Sequence, residues 1–270
     1  MQTKHDILDL GHVQLGYTLR GTSGPPVLLV MGLAMPGEGW MRQVDDLSQD
    51  HQVCWFDNRG VGKSSTPKGL YSTQKMAEET WALVDHLGWE SVHVVGVSMG
   101  GMISQQLLVQ QPERVRSLTL IASAAVGRKA QPTAEGVKRW IKVQSTKDVD
   151  ERMKALAHLL FSEKTIAEGR VDMGTLGRDL AAGRARGQGM LGQLAAVFGH
   201  NAKSQLAIHQ DKPVLCIVGQ DDVLVSPRNT HELAKILAAN LLEIPDAGHG
   251  VSSEHPELVN AAIRKHILAV

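Results

Sequence analysis

The sequence predicts an α/β fold, in which a mostly parallel, doubly wound sheet carries an inserted helical cap. Three observations predict it. Short apolar runs recur along the 270 residues with helical segments between them. Several of these runs are continuous rather than alternating, as in strands covered on both faces. One of them leads through a G-x-S-x-G pentapeptide directly into a helical run. Alternation of strand and helix requires crossover connections, and crossovers make neighbouring strands parallel.

In chain order the runs of strand character are Val13–Leu19, Val27–Met31, Gln52–Asp57, Val92–Val97, Val115–Ile121, Val214–Gly219 and Leu241–Ile244. Between the third and fourth, Ser72–Leu87 places Met76, Trp81, Leu83, Val84 and Leu87 at helical intervals, and Gly88 supplies the stop. The alternation lapses between about Ala125 and Ala207, where the legible pieces, Val137–Val143, Glu151–Phe161 and Met190–Phe198, are all helical. We read 125–207 as the cap, and 1–124 with 208–270 as the core domain that receives it. Glycines at Gly169, Gly174, Gly177, Gly183, Gly187, Gly189, Gly192 and Gly199 break the cap helices and give the backbone places to hinge. An ordinary loose helical subdomain would carry the same pattern.

Composition narrows the partners. With 43% hydrophobic and 21% charged residues the chain has ample material for a large core. Lys and Arg total 28 and Asp and Glu total 28, so no net field draws the chain to nucleic acid or an anionic membrane, and a small-molecule partner is expected. Cys54 and Cys216 sit in apolar runs and read as buried structural thiols, not as a disulfide framework. The opening MQTKHDILDL has no apolar segment followed by a small-residue cleavage site, and no apolar run approaches the roughly 20 residues that span a bilayer. A cytoplasmic protein is therefore expected. No spacing of Cys, His and carboxylates suggests a metal. The string Asp57-Asn58-Arg59-Gly60-Val61-Gly62-Lys63-Ser64 ends like a phosphate loop but has Asp57 where the first glycine must stand, so no nucleotide cofactor is expected, and Arg59 reads as a structural anchor.

The chemistry is concentrated at the ends of three runs. Gly96-Val97-Ser98-Met99-Gly100 follows VHVVG and precedes GMISQQLLVQQ. Ser98 thus occupies a tight strand-to-helix turn, where the glycines leave room and the hydroxyl projects from the sheet edge as a nucleophile. An alcohol is a poor nucleophile at neutral pH and needs an adjacent base. His249, in Asp246-Ala247-Gly248-His249-Gly250 after the last run, is placed to be that base. An acid that holds one imidazole tautomer is expected after VLCIVG, where Asp221 and Asp222 both qualify on chemistry.

VLLVMGLA, FDNRGVGKSS, GVSMGGM, GQDDVLVSP and the His249 turn fall in the order of the α/β-hydrolase superfamily, which the chain resembles outside the cap. FDNRGVGKSSTPKGLYS with DHLGWESVHVVGVSMGGMI is most similar to the esterase-like, aclacinomycin methylesterase-like hydrolases of that superfamily. The resemblance implies the α/β-hydrolase fold and carboxylic ester hydrolysis. It assigns the acid to Asp222, three residues beyond Gly219, and leaves Asp221 as a solvated neighbour or a helix cap. It also implies an oxyanion hole made by two backbone N–H groups, Met99 after the nucleophile and Leu33 in the Met31–Ala34 turn. Many superfamily members have His where this chain has Met31, so a polar side chain that could buttress the turn is missing.

Other histidines compete weakly. His255 opens a helical segment, His93 lies inside a strand and His86 on the Ser72–Leu87 helix, and all three read as structural. Met31, Met35, Met41, Met99 and Met102 concentrate in the segments expected to wall the reaction centre, a soft acyl pocket in which Leu33 and Met99 touch substrate. With Trp140, Phe161 and Phe198 as its aromatics, the cap suggests a moderate apolar cover over uncharged esters with short to medium acyl groups. The same triad also cleaves C–C, amide and thioester bonds. The same scaffold can serve as a small-molecule receptor whose cap closes on a ligand. The sequence specifies no oligomeric state.

Overall fold

The continuous apolar runs of the sequence form the middle of the sheet because their alternate residues feed two separate cores. The structure is a computed structural model that describes residues 3–130, 132–171, 185 and 187–270. In chain order the elements are β1 (Thr3–Asp9), β2 (Gln14–Arg20), β3 (Pro26–Val30), α1 (Met41–Leu47), β4 (Gln52–Phe56), α2 (Thr73–His86), β5 (Val92–Val97), α3 (Met99–Gln110) and β6 (Val115–Ile121). There follow α4 (Ala134–Ser145), α5 (Val149–Leu160), α6 (Glu163–Ala167), α7 (Gln188–Gly199) and α8 (Lys203–Leu206). The chain closes with β7 (Val214–Gly219), α9 (Pro227–Leu237), β8 (Asn240–Ile244), α10 (Val251–Glu254) and α11 (Pro256–Leu268).

The eight strands lie in the order β1-β2-β4-β3-β5-β6-β7-β8. The β1–β2 and β2–β4 pairings are antiparallel and the remaining pairings are parallel. This is the mostly parallel, doubly wound sheet that the sequence predicts. Leu28 and Val30 of β3 face a core shared with Met76, Trp81, Ile103, Leu107 and Leu233 of α2, α3 and α9. Val27 and Leu29 face the other side, with Val44, Leu47, Val259 and Ile263 of α1 and α11. A strand buried on both faces needs apolar residues at every position, which is why these runs do not alternate.

Strand β1 was not predicted. Its residues are almost all exposed, so it carries no apolar period to read. It is held by pairing along its whole length with β2, from Thr3 opposite Arg20 to Asp9 opposite Gln14. Helix α2 begins as expected, Ser72 accepting the Lys75 N–H at its N-cap. Cys54 and Cys216 are buried free thiols, and burial pushes both pKa values up, that of Cys216 to about 12.

Helices α4 to α8 lie between β6 and β7, strands that are neighbours in the sheet. Within α7, Gly189 and Gly192 serve close contact, whereas Gly199 has open space around it. Gly189 lies against Gly60, where an added Cβ would meet the Gly60 carbonyl oxygen at 2.4 Å, and Gly192 lies against the Tyr71 ring. Gly169 and Gly187 do have positive φ, 65° and 50°, with open space around them. Gly174, Gly177 and Gly183 lie outside the described residues. Among the described residues no helix is long and apolar enough to cross a membrane.

Candidate active site

The turn between β5 and α3 holds Ser98 at φ 55° and ψ −119°, a left-handed conformation that a residue with a side chain rarely adopts. The neighbouring glycines make it possible. A Cβ on Gly96 would meet Ser104 Oγ at 2.3 Å, and one on Gly100 would meet the Val30 carbonyl at 2.0 Å. Neighbouring β6 pins the turn from the other side: the Ser98 N–H donates to the Ile121 carbonyl at 2.8 Å, and Ser123 Oγ donates to the Ser98 carbonyl at 2.9 Å.

His249 and Asp222 meet at the same sheet edge, on the loops after β8 and β7. Asp222 is buried, and its Oδ2 accepts from His249 Nδ1 at 2.8 Å. Its Oδ1 accepts from the N–H groups of Leu224 and Val225, both at 2.8 Å. The carboxylate is therefore fixed by its own loop before it orients the ring, and with the proton on Nδ1 the ring's Nε2 is left as an acceptor. Burial works against charge on His249, but the Asp222 charge and hydrogen bond, with a further contribution from Glu254, raise its pKa above the usual 6.5. Ser98 shares a cavity with His249 and is not hydrogen bonded to the ring, the looser geometry common before substrate binds. Asp221 is exposed. It does not cap α9, whose N-cap is Ser226.

Polar side chains that sequence reasoning missed hold the Met31–Ala34 turn. Asn58 Nδ2 donates to the Met31 carbonyl at 2.8 Å. Buried Gln193, from α7, accepts the Ala34 N–H at 2.7 Å and donates to the Arg59 carbonyl at 2.9 Å. These bonds supply the buttress that Met31 cannot. Leu33 and Met99 both line the cavity beside Ser98. Met99 is the first residue of α3, so its N–H has no acceptor within the helix.

The cavity has a volume of about 270 Å³. Met31, Met35, Met99 and Met102 line it from the sheet side, and Trp140, Leu156, Leu159, Phe161, Met190 and Val197 from the inserted helices. Met41 and Phe198 stand apart from it on the surface. His249 is the one ionisable side chain among the described residues that line it.

The competing histidines sit elsewhere. His255 is the N-cap of α11, and His86 pairs with the Tyr17 hydroxyl at 3.1 Å. His93 Nδ1 bonds Ser117 Oγ at 2.8 Å while its Nε2 is buried without a partner among the described residues, and burial depresses its pKa to about 4. In the loop after β4, Asp57 accepts the N–H groups of Gly37 and Lys63, both at 2.8 Å. Its carboxylate engages the loop amide of Lys63, which a phosphate loop would offer to its ligand. Arg59 pairs with buried Glu79 at 3.2 Å and lies over the Tyr71 ring, the anchoring role expected of it. No group of three or more His, Cys, Asp or Glu that could hold a metal occurs among the described residues.

Comparison with known proteins adds three likenesses and a family. Residues 25–256 match the family model of the alpha/beta hydrolase fold. A candidate non-heme bromoperoxidase of Mycobacterium tuberculosis strain H37Rv, BpoC, is 32% identical over 273 residues, covering 96% of this chain and 99% of its own. The 3-oxoadipate enol-lactonase 2 of Acinetobacter baylyi is 27% identical, covering 96% of this chain and 94% of its own. The crystal structure of a hydrolase from Pseudomonas aeruginosa superposes with a TM-score of 0.82 at 25% identity, covering 97% of this chain and 98% of that one.

Proposed function

This chain belongs to the α/β-hydrolase fold family, and from that membership we propose that it is a serine hydrolase that cleaves small, uncharged carboxylic esters through an acyl-enzyme. The observation that carries the reading is the Asp222–His249 hydrogen bond beside an apolar cavity lined by both His249 and Ser98, the latter on a strained turn. In this reading Ser98 Oγ attacks the ester carbonyl while His249 Nε2 takes its proton, and Asp222 stabilises the imidazolium. The Leu33 and Met99 N–H groups receive the oxyanion. His249 then returns the proton to the departing alcohol, and water, activated by the same ring, releases the acid.

The apolar, methionine-rich walls support an uncharged acyl group of short to medium length. The inserted helices act as its cap and set that length. A lactone is a cyclic ester, so the chemistry named for the Acinetobacter relative fits the same machinery.

The test is activity profiling with a fluorophosphonate followed by a panel of p-nitrophenyl esters of varied acyl length. Wild-type protein is expected to be labelled at Ser98 and to turn over the shorter esters. Ser98→Ala is expected to lose both labelling and turnover while remaining folded by circular dichroism. Labelling that survives Ser98→Ala would refute the assignment.

A further inference from the structure

Glu254 ends α10, five positions after His249, and is 6% exposed. Each of its carboxylate oxygens accepts one backbone N–H. Oε1 takes that of Gly248 at 2.7 Å, and Oε2 that of Ser162 at 2.9 Å. Gly248 immediately precedes His249, and Ser162 is the N-cap of α6 in the inserted helices. The two segments are joined again on either side: Ser162 Oγ donates to the Asp246 carbonyl and the Gly250 N–H to the Leu160 carbonyl, both at 2.7 Å. The loop 246–250 is thus bound to 160–162, with Glu254 between them as the acceptor of both chains.

The carboxylate gives each N–H donor its own oxygen, whereas an amide in its place has one acceptor oxygen and would turn its NH2 group towards the other donor. An ordinary loop on a helix end would not require a buried charge, and this one lies beside the ring that becomes positive in the reaction. We propose that Glu254 is a positioning residue, whose carboxylate fixes the His249 loop against the inserted helices and favours the imidazolium formed during catalysis. The inference rests on the serine hydrolase reading, since positioning has meaning only if His249 is the base.

Among the described residues, the charged and titratable groups on the elements packed around His249 include Asp221, Asp222, Glu254, Glu163, Glu168, the exposed Lys164–Asp246 pair at 2.7 Å, His255, and Arg170, which donates to the Glu254 carbonyl oxygen at 3.1 Å. Asp222 is the chief contributor to the raised pKa of His249 and Glu254 the lesser. Removing the Glu254 charge must therefore lower the pH at which the ring gains its proton.

The test compares wild type, Glu254→Gln and Glu254→Asp, with His249 titrated by NMR and kcat and KM followed against pH on a p-nitrophenyl ester. Glu254→Gln is expected to titrate His249, and to place the acid limb of kcat, at lower pH than wild type. Its kcat is expected to fall about ten- to a hundredfold through misplacement of the ring, with KM within about twofold. Glu254→Asp keeps the charge but is too short to reach both N–H groups, so its kcat should fall with the acid limb near that of wild type. An unchanged His249 titration and kcat in folded Glu254→Gln overturns the proposal. If Glu254→Gln does not fold, a wild-type kcat in Glu254→Asp overturns it instead. Absence of fluorophosphonate labelling at Ser98 in wild type would overturn the hydrolase reading itself, and the positioning role with it. Labelling at Ser98 with no effect of either Glu254 variant would overturn only the latter.

Discussion

Asp221 and Asp222 are adjacent and chemically identical, yet one is in solvent and the other has its two oxygens engaged by three donors. Asp222→Asn should lower kcat by about 10⁴-fold, because an amide facing Nδ1 favours the wrong imidazole tautomer. Asp221→Asn should leave kcat within about twofold of wild type, as an exposed side chain with no role in the site. Steady-state kinetics on one ester separates them, and the reverse ranking would move the acid. The raised pKa of His249 fixes the direction of the pH dependence. The proposed mechanism needs the neutral ring, so kcat/KM should fall as pH drops through a value above 6.5 and recover as pH rises. The linkage to stability runs the other way. The pair's contribution is fully present below the unfolded histidine value and is lost as pH rises through the raised folded one. Ser98 and His249 were legible in the sequence because each carries its surroundings with it: a strand before, glycines on both sides. Asp222 could be preferred over Asp221 only through resemblance, since nothing local distinguishes them until the loop folds.

Helix α7 was legible as a helix but not as a contact surface. Its glycines read as breaks, whereas Gly189 is where α7 touches the loop after β4 backbone to backbone. Gln193 gave no signal, because a glutamine in a helix looks like any solvated residue until its partners, 134 and 159 positions away, are known. The two readings of Gly189 differ in sign. In a free helix Gly189→Ala would add about 1 kcal/mol of stability. Against the Gly60 carbonyl the new methyl meets backbone only and must displace it, so the cost lies towards the upper end of the usual overpacking range, about 3 kcal/mol, and outweighs the propensity gain. Thermal unfolding should therefore show a Tm lowered by a few degrees, and a raised Tm would restore the hinge reading. At the opposite edge, β1 escaped notice for the complementary reason. Its stability comes from pairing with β2 and not from an apolar face.

Across the whole molecule the cavity draws its walls from residues between Met31 and Ser253, so its shape belongs to no one segment. The sheet could be read because strands announce themselves locally; the cavity could not, because its walls meet only in the fold. Leu159 of α5 lines it and is nearly inaccessible. Leu159→Phe should reduce kcat/KM for the longer acyl esters of the panel by about tenfold, the range of a lost methylene-sized fit, while fluorophosphonate labelling of Ser98 persists. An unchanged chain-length profile would place specificity on the sheet-edge loops around Leu33 and Met99. The seating of the inserted helices also bears on how such a chain can be rewritten by recombination. Residues 160–162 are bound to the His249 loop, and Gln193 and Gly189 to the loops at Ala34 and Gly60. An exchange of the whole insertion for a relative's severs both attachments at once. A crossover within α4 and the first turns of α5 alters Trp140 and Leu156 while sparing them. With Thr133 at the head of α4 also held on the Val223 carbonyl, these moorings mark the parts of the insertion that must travel with the core they were fitted to, and leave the cavity-facing side chains between them as the part that can be exchanged.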